Sequence, residues 1–144
     1  MTIFIQPEIL LAEFVRAEVG QPFEWGWSNC VALALRAIDA MLGTTLHPKH
    51  QHHMATARRA AAWTRKHGIA GIIEAVKPDG LVEIKPNFAQ PGDILLGRTT
   101  DGQISAHVSL GARALSSTAE NGVFVLIASM ISPPPTTAIG WRIS

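Results

Sequence analysis

The feature that most constrains this chain is the segment CVALALRAIDAMLG, residues 30–43. Its composition favours helix, and Gly43 supplies a stop. Apolar side chains fall on nearly every side of such a helix, and its only charges are Arg36 and Asp39. A helix with no face to offer water must lie at the centre of a fold. The chain can supply that centre. Its 144 residues fit one domain, 1–144, and 47% are apolar against 16% charged. That balance excludes disorder and leaves room for a partner to cover part of the surface.

Elements of two kinds flank this segment. Pro7 to Val19 reads as a helix with Ile9, Leu10, Phe14 and Val15 as its apolar stripe, stopped by Gly20 and Pro22. Residues 44–53 read as a polar, His-rich loop. A helix from Met54 to His67 follows, ended by Gly68, and Ile69 to Val76 adds a short helical piece. From Leu81 the period changes to two. LVEIK, QPGDILLG, ISAHVSLG and GVFVLIAS read as strands, and AIGWRIS after the proline run 133–135 reads as a final edge strand. Helices first and strands later define an α+β class, with N-terminal helices packed on a C-terminal antiparallel sheet.

Charge and cysteine usage narrow the function. The formal net charge is +1, and no basic tract exceeds Arg58-Arg59 or Arg65-Lys66, which argues against a nucleic-acid partner. No apolar run is long enough to span a membrane, and Pro7, Glu8 and Glu13 interrupt the apolar start, so the expectation is cytoplasmic synthesis without a signal peptide. The single cysteine, Cys30, excludes an internal disulfide and leaves thiol chemistry open.

Cys30 opens the central helix, with Ser28 or Asn29 as its N-cap. Unpaired N–H groups and the macrodipole favour negative charge there, so a thiolate is stabilised and an oxyanion could be held by the same groups. The bland alternative is a small buried residue. A thiolate mechanism needs a base, and among six histidines only His107 lies within a strand pattern. Ile104, Ala106, Val108 and Leu110 share one face of that strand; Ser105, His107 and Ser109 share the other. Either His107 faces solvent, or small Ser105 and Ser109 admit the cysteine helix and His107 points at Cys30. His47, His50, His52 and His53 crowd one loop without a standard metal-ligand spacing, so a solvated loop is expected, with no metal and no cofactor. Trp25 and Trp27 flank Gly26 before the cysteine and either wall a substrate groove or close the core.

The segment PFEWGWSNCVALALRAIDAMLG, with QPGDILLG and SAHVSLG after it, resembles the papain-like NlpC cell-wall peptidases. The order of elements is similar too, with cysteine on a helix first and histidine on a sheet later. ENGVFV and the ending AIGWRIS resemble short phage and prophage NlpC-like proteins associated with tails. The resemblance implies Cys30 as nucleophile, His107 as general base and Ser116, in ALSST, as the residue that orients the histidine. Trp25, Trp27 and Asn29 are the candidate substrate-binding residues. The resemblance also implies an amide bond of a peptidoglycan stem peptide as target, other phage tail proteins as partners, and a location on the virion or its tail. Three residues depart from the family pattern. Asn29 stands where the family has Asp, Phe23 where it often has Tyr, and Ser116 where it has a stronger orienting group. The chain has no tyrosine. A degenerate structural component of a tail tip or tail-assembly complex is therefore the alternative.

Overall fold

The computed structural model describes residues 6–141. Four helices precede six strands: α1 (Pro7–Glu18), α2 (Cys30–Leu42), α3 (Leu46–His50), α4 (Ala57–Val76), then β1 (Val82–Ile84), β2 (Ile94–Arg98), β3 (Ile104–Ser109), β4 (Arg113–Thr118), β5 (Gly122–Ile127) and β6 (Thr137–Gly140). All strand pairs are antiparallel, in the order β1-β6-β2-β3-β4-β5.

The central position demanded of α2 is observed. Leu33, Leu35, Ile38 and Met41 are buried in the main core with Ile104, Ala106 and Val108 of β3. Fully burying a side chain such as Leu33 or Ile38 contributes roughly 1.5–3 kcal/mol. Its two charges are used locally. The Arg36 guanidinium pairs with Glu18 of α1 at 2.6 Å and lies over the Trp27 ring. The Asp39 carboxylate accepts the Leu46 and His47 amides at 2.8 and 2.9 Å. That capping turns part of the expected loop 44–53 into α3 and a 3-10 turn, Gln51–Met54.

The stripe of α1 differs from expectation. Leu11 is buried, with Phe14 and Val15 packed beside the core, whereas Ile9 is 52% exposed. The face toward α2 follows Leu11, Phe14, Val15 and Glu18, which is the i, i+3, i+4, i+7 row. α4 begins at Thr56, whose hydroxyl accepts the Arg59 amide, and breaks at Gly68, which takes a positive φ.

The last strand is not an edge. β6 pairs with β1 on one side and β2 on the other, so the short β1 forms the edge beside it. Its side chains are buried throughout, which an edge pattern of four residues does not reveal. Arg142 and the remainder of the expected strand lie outside the described residues.

Candidate active site

The loop before Cys30 is tied by its own side chains. Ser28 Oγ accepts the Glu24 amide and donates to the Pro22 carbonyl, and Asn29 Oδ1 accepts the Gly26 amide at 2.8 Å. Asn29 occupies the N-cap position of α2, but neither side chain caps the helix. The expected cap is thus a loop clamp. His47 reinforces the clamp from α3. It is buried, and its Nε2 lies 2.7 Å from the Gly26 carbonyl. A carbonyl only accepts, so Nε2 carries the proton. This corrects the reading of His47 as part of a solvated loop.

Cys30 packs against β3. β3 pairs with β2 along five positions but with β4 at only two, Val108↔Leu115 and Ser109↔Ala114. The paired register of β3 and β4 ends at Val108, and the thiol lies 3.9 Å from the Ile104 carbonyl of β3. Burial pushes the Cys30 thiol up from its ordinary range, while backbone groups of Ala106, Val31 and Cys30 itself pull it down less strongly.

The packing of α2 resolves the face of His107, which the alternation left open. α2 packs on the face of Ile104, Ala106 and Val108, not on that of Ser105 and Ser109. The opposite face, through Leu95, Ala114 and Ala138, carries a second small core with Ile131. His107 belongs to that second face by register. His107 and Cys30 both line a cleft of about 340 Å³, together with Ser116 and Ser117. The rest of this wall, including Phe124, Leu126 and Ile131, carries no Asp, Glu, Lys or Arg. His107 Nδ1 lies 2.9 Å from Ser116 Oγ on the neighbouring strand. Burial lowers the His107 pKa to about 4. At neutral pH the cleft is therefore lined by a neutral imidazole and a neutral thiol.

Cys30 also lines a smaller cleft of about 80 Å³ with Phe23, Trp25, Asn29 and Trp63. Trp25 and Asn29 thus border the thiol. Trp27 lies away from both clefts, held between the Arg36 guanidinium at 3.7 Å and the edge of His47. Two residues at the site escaped the sequence reading. Ser117 lines both clefts, and Trp63 of α4 borders the smaller one. Trp63 stacks against His53 and His50, so that part of the His cluster packs on an aromatic ring. Among the described residues, no three His, Cys, Asp or Glu side chains are placed to share a metal ion.

A thiol at the start of a buried helix, packed on an antiparallel sheet that bears a histidine lining the same cleft, belongs to an α+β architecture shared with a solved structure. The crystal structure of the NlpC/p60 domain of peptidoglycan hydrolase SagA matches 92% of this chain and 97% of that one, with a TM-score of 0.59 and 15% sequence identity. The chain has the NlpC/p60 fold. It belongs to the family described as "Domain of unknown function (DUF6950)", whose model matches residues 7–132. No curated protein matches it.

Proposed function

We propose that this chain is a thiol hydrolase that cleaves an amide bond in peptidoglycan stem peptides. The observation that supports it most is the cleft that Cys30 and His107 both line, with Ser116 2.9 Å from the imidazole. The peptidoglycan hydrolase with the same fold makes the cell wall the reasonable target. In this reading Nδ1–H of His107 donates to Ser116, which leaves Nε2 as the base. His107 takes the thiol proton, Cys30 adds to the carbonyl, and the amine leaves with that proton. Water then hydrolyses the thioester. No cofactor takes part. Trp25 and Asn29 border the substrate at the smaller cleft.

Association with a phage or prophage tail, with other tail proteins as partners and the virion as location, belongs to the same proposal. It is supported by ENGVFV and the Trp-Arg ending.

A second reading, a structural tail component that kept the scaffold, is favoured by one observation. The thiol is pushed up and the imidazole down, so the free site holds no thiolate–imidazolium pair. One experiment separates the two. Purified protein, Cys30→Ser and Ser116→Ala are incubated with muropeptides, and new amines are counted. The hydrolase reading expects release that vanishes in Cys30→Ser and falls at least tenfold in Ser116→Ala, since a positioned base contributes about 10²–10⁴-fold. Equal release from wild type and Cys30→Ser would sink it.

A further inference from the structure

We propose that the hydroxyl of Ser117 is an oxyanion donor of the Cys30 site. The inference rests on the reading of Cys30 as nucleophile. Ser117 is 6% exposed, and its Oγ has no hydrogen-bond partner among the described residues. A buried hydroxyl left unpaired destabilises a fold, so its persistence asks for a ligand that pairs it. Its place says which one. Ser117 lines both clefts that Cys30 lines. Two positions beyond the last paired residues, it stands on β4 at the register level of Ala106 of β3. The thiol lies 3.9 Å from the Ile104 carbonyl and interacts with the backbone of Ala106 at that level of β3. The neighbouring aromatic in the small cleft, Phe23, has no hydroxyl, and the chain contains no tyrosine to provide one.

The chemistry balances without a further reagent. As the Cys30 sulfur bonds to the carbonyl carbon, the π electron pair moves to oxygen. That oxyanion accepts the Ser117 O–H together with backbone N–H groups at the start of α2. Ser117 transfers no proton. When the C–N bond breaks, the electron pair returns to the carbonyl and the amine takes the proton held by His107.

The test compares the full-length protein with Ser117→Ala by three measurements. Hydrolysis of p-nitrophenyl acetate that depends on Cys30 should fall about 10²–10³-fold in kcat/KM, the usual effect of removing one oxyanion donor. Alkylation of Cys30 by iodoacetamide forms no oxyanion and should stay within about twofold of wild type. The melting temperature should rise by about 3 °C, because an unpaired buried hydroxyl has been removed. Unchanged hydrolysis in Ser117→Ala, with wild-type turnover still dependent on Cys30, overturns the inference and leaves the nucleophile reading standing. A parallel loss of alkylation and hydrolysis, or a lower melting temperature, also overturns it, by showing that the hydroxyl serves the thiol or the fold. Wild-type turnover indifferent to Cys30→Ser removes the nucleophile reading itself, and the inference with it.

Discussion

Lowering the pH from 7 to 5 should cost the fold about 2 kcal/mol through His107 alone. Burial holds this imidazole at about 4 in the folded protein, against 6.5 for an unperturbed histidine. Between those values the unfolded chain binds a proton that the native state refuses. Stability therefore falls as the pH drops through 6.5 and stops falling below about 4. Each unit of separation is worth about 1.36 kcal/mol. At pH 5 roughly 1.5 units have been traversed, and near pH 4 the loss approaches about 3 kcal/mol. The assay is urea unfolding followed by tryptophan fluorescence at pH 7, 6 and 5, for wild type and His107→Gln. Burial also lowers His50 and His53, but they respond alike in both proteins and cancel in the difference. The gap between the two unfolding free energies should move by about 2 kcal/mol in favour of the variant on going to pH 5. Curves that stay parallel within about 0.5 kcal/mol would show that His107 charges freely in the native state, and the buried, neutral base would be refuted.

Two further outcomes test how the site is carried. Arg36→Ala should cost about 3–5 kcal/mol in urea unfolding, because it strands the Glu18 carboxylate, whose side chain is only 12% exposed. The same change should alter tryptophan emission, since the guanidinium covers the Trp27 ring; an unchanged spectrum and midpoint would contradict the clamp. Gly122→Ala should lose about 1–3 kcal/mol by thermal unfolding, as its φ of 65° disfavours a side chain and a Cβ would run into the Gln21 carbonyl. A stable alanine variant would show that the turn into β5 relaxes.

The sequence by itself determined the centre of the molecule. A helix apolar on all sides has one physical solution, burial, and α2 lies where that solution puts it. It also determined the helix-then-sheet order and the strand that bears His107, because periods of 3.6 and two are local properties of the chain. What it could not determine depends on neighbours distant in sequence. Alternation along ISAHVSLG defines two faces but not which one meets α2, and the structure turned out to use the face without His107 for that packing. That His107 and Cys30 line one cleft depends on how the sheet and α2 pack. The interior position of β6 came from the return of the chain between β1 and β2, which no local pattern encodes. His47 reads as one more loop histidine until Asp39 folds its segment onto Gly26. Ser117 carries no local signal at all. Its hydroxyl becomes conspicuous only once tertiary packing has excluded water from it and left it facing the cysteine's clefts without a partner.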